Sequence, residues 1–245
     1  MINTRALLSS WTGPGILQLF FSIKDSSSSI FPAEVLERWL DDTYIPAFVD
    51  SGAVKSAWRF RAANETYSKQ HMMIFEFPDL AQALSPDLLC IPRTSEMFPT
   101  NEPLDEWVEA EVRVLSFVQL YETSKHIEDA VNTVIYAAME PPPGGEAELE
   151  AWYREEHNQQ MSEQPGWIRT TRFRLLNHHR THPRESEKYS FLAIHEFGDG
   201  HGIGKDVAPL EPMTEWTKKC MAAAKAIDAA VYHTQKVFGE AAEEQ

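Results

Sequence analysis

The stretch Leu149–Leu175, LEAWYREEHNQQMSEQPGWIRTTRFRL, decides how the chain is read. Leu149, Trp152, Tyr153, His157 and Met161 fall at i, i+3, i+4, i+8 and i+12, one stripe of a 3.6-residue helix. Glu150, Arg154, Glu155 and Gln159 take the other side. Pro165-Gly166 ends the helix, and Trp167–Leu175 then alternates like a half-buried strand. The titratable residue on the apolar stripe is His157.

A weaker copy of this unit occurs earlier. Leu36, Trp39, Leu40, Tyr44 and Phe48 form a helical stripe, Pro46 predicts a kink or early stop, and a strand over Val54–Arg61 follows the Ser51-Gly52 turn. An offset of 113 positions pairs Leu36, Glu37, Trp39, Arg59, Phe60 and Arg61 with Leu149, Glu150, Trp152, Arg172, Phe173 and Arg174. An offset of 120 pairs Glu76-Phe77 with Glu196-Phe197.

Around these units the same order of elements runs twice. Strands are predicted at Ile16–Ile23, His71–Phe77 and Val112–Tyr121, then at Val131–Met139, Tyr189–Phe197 and Ala230–Phe238. Further helices are expected within 78–97, near Leu104–Glu109 and over Pro212–Ala229, and 177–188 reads as a polar loop. The fold class is therefore α+β: two tandem ferredoxin-like (split βαβ) repeats. Residues 1–14 are expected to be a loose leader, 15–124 the first repeat, 125–239 the second, and 240–245 a frayed tail. An antiparallel sheet with helices on one face leaves the other bare. Neither third strand, HMMIFEF or FLAIHEF, has a wet side, so the two bare faces are expected to pack together around a cavity.

Composition narrows the function classes. The 22 basic and 37 acidic residues give a formal charge of −15, which argues against nucleic acid or an anionic membrane as a partner. Cys90 and Cys220 stand far apart with no CxxC companion, suiting free thiols in a reducing compartment. No signal-peptide pattern is legible and no apolar run approaches the roughly 20 residues of a membrane span. A cytoplasmic protein is expected.

The segment WYREEHNQQMSEQPGWIRTTRF resembles the tryptophan–histidine helix, small turn and following strand of EthD-like proteins in the dimeric α/β-barrel superfamily. The tandem arrangement is similar to duplicated fungal members associated with secondary metabolism. In the first repeat Tyr44 stands where the second has His157, so a symmetric two-histidine site is not available. The superfamily includes cofactor-free cyclases, decarboxylases and isomerases, small monooxygenases and haem-binding enzymes. The resemblance implies a dimeric-α/β-barrel-like core holding a hydrophobic, polyketide-like or aromatic small molecule.

Candidate chemistry centres on His157, whose imidazole can exchange a proton near neutral pH; the alternative is a histidine bonded within the core. His195, in mid-strand where the first repeat has Phe75, needs a partner or a ligand. Tyr44 is a third candidate, orienting a carbonyl or phenolate. Arg59 and Arg172 could clamp a carboxylate, and Glu76 and Glu196 serve as bases or as partners of those arginines. Trp152, Tyr153, Phe75, Trp167 and Met161 are the predicted apolar contacts.

His178, His179 and His182 lie near Arg180 and Arg184 without the acid or thiol that would complete a metal site. GDGHGIG at 198–204 matches no phosphate-binding pattern. No metal and no cofactor is expected. The leading function is cyclisation, isomerisation or decarboxylation by acid/base chemistry. The alternatives are a haem- or oxygen-dependent monooxygenase or peroxidase-type barrel, and a non-catalytic binding or stress-response protein. A homodimer is a further possible assembly.

Overall fold

The computed structural model describes residues 11–126, 130–181 and 188–243. Eight strands carry the fold: β1 (Gly15–Ile23), β2 (Ser56–Ala62), β3 (His71–Phe77), β4 (Val108–Glu122), β5 (Thr133–Glu140), β6 (Trp167–Arg180), β7 (Phe191–Phe197) and β8 (Ala226–Gly239). They close into one barrel in the order β1-β3-β2-β8-β5-β7-β6-β4. Each repeat supplies one sheet, and antiparallel seams β2·β8 and β4·β6 join the two. Closure pairs the sheet edges with one another and removes them from solvent.

The duplication is visible in local geometry. Helix α1 (Ala33–Trp39) passes through a π-helical turn, Leu40–Tyr44, into α2 (Ile45–Asp50). In the second repeat α3 (Glu146–Trp152) passes through a π-helical turn, Tyr153–His157, into α4 (Asn158–Ser162). The two π turns stand 113 positions apart, the offset that aligns the sequences. Pro46 follows the first π turn, and the helical run continues past it to Asp50. Gly166, at φ +72°, makes the turn into β6; an added Cβ would lie 2.6 Å from the His201 amide nitrogen.

Both faces of each sheet are buried, as their apolar runs require. The lumen face contributes a cluster drawn from both repeats, including Ile16, Phe60, Ile74, Val134, Phe173 and Ile194. The outer face of the first sheet packs on α1 and α2 through Trp39, Tyr44, Phe48, Phe75 and Phe77. That of the second packs through Met139, Leu149, Trp152, Tyr153 and Phe191. Helix α5 (Glu215–Ala223) lies beside α3, where Thr217 accepts a 3.1 Å bond from Trp152 Nε1.

Several expectations need correcting. The last helix stops at Ala223 and β8 begins at Ala226, because the backbone of the alanine-rich segment is taken up by pairing with both β2 and β5. The expected helix near Leu104–Glu109 is a 3₁₀ turn, Leu104–Glu106, and Val108 already belongs to β4. Asn177–Arg180 extends β6 rather than forming a loop. The tail is not frayed over Glu240–Glu243: this is a helical turn, α6, with Ala241 fully buried and its N–H bonded to Ser56 Oγ at 3.0 Å. Trp11, placed in the leader, is buried in the first repeat's core. The rest of the leader before residue 11, His182, Arg184 and the last two residues lie outside the described residues.

Candidate functional site

Strand parity separates two sets of side chains. Along β7, Leu192, Ile194 and Glu196 face the lumen, whereas Phe191, Ala193, His195 and Phe197 face outward. A cavity of about 330 Å³ occupies one end of the lumen. Its walls are aromatic and aliphatic: Trp58 and Phe60 from β2, Phe117 from β4, Phe173 from β6, and Ile16, Ile74, Val134 and Ile194 from the strands between. Phe117 and Leu120, 41% and 45% exposed, stand at its mouth.

Two carboxylates enter this cavity at related positions. Glu76 faces Ile16 across β1·β3, and Glu196 faces Val134 across β5·β7. Each has a cation beside it. Lys55 Nζ is 3.7 Å from Glu76, and Arg169 Nε donates to Glu196 at 2.6 Å, with Thr171 Oγ1 3.4 Å from the other carboxylate oxygen. The site is thus an apolar chamber with paired charges at one end, suited to a mainly hydrophobic molecule with one ionisable oxygen.

The opposite end of the lumen is filled by a charged cluster that ties the repeats together. Lys69 is ion-paired with Asp228 and lies 3.7 Å from Glu111. Arg113 Nε donates to Glu111 at 2.7 Å, its Nη1 donates to the Tyr136 hydroxyl, and Tyr67 donates to Asp228 at 2.7 Å. Surrounding cations and the contact with His178 hold the Glu111 carboxyl well below the usual range despite its burial. His178 and Arg180, read as loop residues, approach Glu111 at 3.2 Å from the end of β6.

Of the residues singled out in the sequence, Glu76 and Glu196 line the cavity; the two histidines, Tyr44, the two arginines and the predicted apolar contacts do not. His157, His195, Trp152 and Tyr153 are brought together, but between helix and sheet on the outer side. The His157 ring stacks on Trp152 at 4.2 Å between centroids and meets His195 edge-on at 5.3 Å. His195 Nδ1 lies 2.9 Å from Thr170 Oγ1, which accepts from Trp167 Nε1 at 3.2 Å. His157 Nδ1 has no hydrogen-bond partner among the described residues. Burial, followed by the Arg172 charge, lowers the His157 pKa to about 3; burial, His157 and Arg172 lower that of His195 strongly. Both shifts favour the neutral ring, against the expectation of an imidazole that titrates near neutrality.

The remaining predicted residues lie in the helix–sheet layers outside the lumen. Tyr44 stacks on Trp39 at 4.6 Å and packs on Phe48, which meets Phe75 at 4.3 Å; burial raises its hydroxyl to about 12. Arg59 makes a two-pronged pair with Asp41 at 2.6 and 2.9 Å. Arg172 pairs with Glu150 at 2.8 Å, bonds Gln119 at 3.1 Å and lies 4.2 Å above the Tyr153 ring. These arginines pin helices to sheets; they are neither solvated nor turned to the lumen. Met161 and Trp167 pack with Phe197.

No family model matches this chain, and no curated protein matches it. Solved structures do. An anthrone oxidase-like protein is similar at 11% identity over 94% of each chain, with a TM-score of 0.54. What such barrels share with this chain is the fold. A putative monooxygenase from Lactobacillus acidophilus NCFM is similar at 10% identity over 93% of this chain and 97% of its own, with a TM-score of 0.53. A chlorite dismutase variant from Candidatus Nitrospira defluvii aligns at 8% identity over 95% of each chain, with a TM-score of 0.52. The shared architecture is a closed antiparallel barrel of eight strands, two sheets in one chain.

Haem iron in proteins is held by a side-chain ligand, most often a histidine. Among the described residues no histidine lines the cavity. One face of His157 is covered by Trp152, and His195 is engaged by Thr170 under a closely packed helix. The residues present do not fit a haem. Among the described residues no group of three His, Cys, Asp or Glu is placed to hold a metal ion.

Proposed function

We propose that the protein is an oxygen-dependent, monooxygenase-type enzyme acting on an aromatic small molecule in the barrel cavity. The observation that carries this reading is the pairing of an apolar chamber with the Glu196–Arg169 couple at its polar end. The fold shared with monooxygenase-like proteins, and the resemblance of Leu149–Leu175 to EthD-like proteins, support the small-molecule reading.

The chemistry follows from those two side chains. Glu196 takes a proton from an acidic C–H of the substrate. The resulting enolate oxygen is then stabilised by the Arg169 guanidinium. Dioxygen, an apolar molecule that enters such a chamber readily, adds to the electron-rich carbon as a C–O bond forms. The peroxide takes back the proton from Glu196, and loss of water leaves a ketone. Overall a CH₂ group and O₂ become C=O and H₂O. Cyclisation, isomerisation and decarboxylation share the proton-transfer step, and oxygen consumption separates them from this reaction.

The test is oxygen uptake with anthrone as the probe. Wild-type protein should consume oxygen, and Glu196→Gln should lower the rate by about 100-fold or more. An equal rate in the variant removes Glu196 from the mechanism. Uptake no faster than that of anthrone alone removes the reaction.

A further inference from the structure

Two residues along β1 from the cavity-lining Ile16 stands a glutamine whose hydrogen bonding is incomplete. Gln18 is fully buried and follows Ile16 on the lumen side of β1, with the cavity-lining Ile74 as its direct cross-strand neighbour. Its Nε2 meets the Met72 sulfur at 3.3 Å, a weak acceptor, and its Oε1 has no partner among the described residues. Turning the amide over moves the deficit from oxygen to nitrogen without removing it. Across β1·β4 lies Arg113, which already donates to Glu111 and Tyr136. The related position in the second repeat is Tyr136 itself, facing Ile194 as Gln18 faces Ile74, with its hydroxyl engaged. One of two related lumen groups is thus satisfied by the protein and the other is not. A buried amide kept unpaired is costly unless something completes it.

We infer that Gln18 selects the substrate by hydrogen-bonding a hydroxyl or carbonyl oxygen at the leading end of an aromatic molecule in the cavity. The inference rests on the cavity reading above and sharpens it. The substrate class becomes an aromatic body with a neutral oxygen at its inner end, its ionisable end lying near Arg169 and Lys55. A purely hydrocarbon ligand would leave the amide buried and unpaired, so it is discriminated against by the same physics.

Equilibrium dialysis of the full chain against 1-naphthol and 1-methylnaphthalene, two probes of similar shape, tests this in wild type and Gln18→Met. The wild-type preference for 1-naphthol should fall about tenfold in the variant, equivalent to about 1.4 kcal/mol. The free variant should also melt at a higher temperature, having lost an unpaired buried group. An unchanged preference, with both probes bound, overturns the role of Gln18 and leaves the cavity reading standing. Failure of wild type to bind either probe overturns both. Gln18→Leu is the second variant; if neither variant folds, the inference is overturned, since an unpaired amide cannot be what holds the barrel together.

Discussion

Ile194 and His195 are consecutive in β7 and lie on opposite sides of the barrel wall: Ile194 lines the cavity and His195 is buried beneath the second repeat's helices. One residue of parity therefore decides whether a side chain lines the cavity or packs the core. The histidine with the more conspicuous sequence signal is on the packing side.

Acid sensitivity follows from the buried histidines. His71 is 2% exposed, with its Nε2 2.8 Å from Arg61 Nη1, and burial together with Arg61 and Arg59 lowers its pKa to about 3. The unfolded chain binds a proton near pH 6.5 that the folded chain refuses, so stability is complete above that pH and is lost as the pH falls toward 3. Each such histidine contributes a slope of about 1.4 kcal/mol per pH unit in that window. His195 acts in the same direction. Urea midpoints measured between pH 7 and pH 4.5 should fall steeply in wild type and less so in a His71→Phe, His195→Phe variant. Equal slopes would contradict the assignment.

Arg59 and Arg172 should matter for stability and not for ligand affinity. Replacing either with Leu removes charged hydrogen bonds to Asp41 or to Glu150, at a cost of about 2–3 kcal/mol in chemical denaturation. Binding of 1-naphthol to the folded variants should be unchanged. A selective loss of affinity would restore the clamp that the sequence suggested.

The charged cluster at the closed end should behave as a unit. Lys69 belongs to the first repeat and Asp228 to the second, and both side chains are 13% exposed. Lys69→Met leaves Asp228 and Glu111 short of a counter-charge and should cost about 3–5 kcal/mol. A loss below about 1 kcal/mol would mean the cluster does not hold the two repeats in register.

The fold was legible because it is written twice. The 113-position offset links Trp39 to Trp152, and the structure places a π turn directly after each. The unbroken apolar runs of β1, β3 and β7 announced two buried faces. The site was less legible for a physical reason: when both faces of a strand are buried, hydrophobicity does not say which one faces the lumen. His157 and His195 stood out as polar residues in apolar stripes, yet stacking on Trp152 and bonding to Thr170 accommodate them in the core. Phe60, Phe173 and Ile194 looked like ordinary core. The signal that pointed to the cavity was Glu76 and Glu196, charged residues repeated at the same step of two buried strands. Arg169 carried no such mark, since its counterpart by offset is Ser56.

Neighbouring substitutions in β7 distinguish a substrate held in the lumen, as proposed above, from one held in the histidine layer. Oxygen uptake with anthrone should be measured for Ile194→Trp, which fills the cavity, and for His195→Phe, which restores the first repeat's residue, with melting curves confirming that both fold. The account predicts that Ile194→Trp abolishes uptake while His195→Phe retains it. Full activity in Ile194→Trp together with its loss in His195→Phe would contradict it.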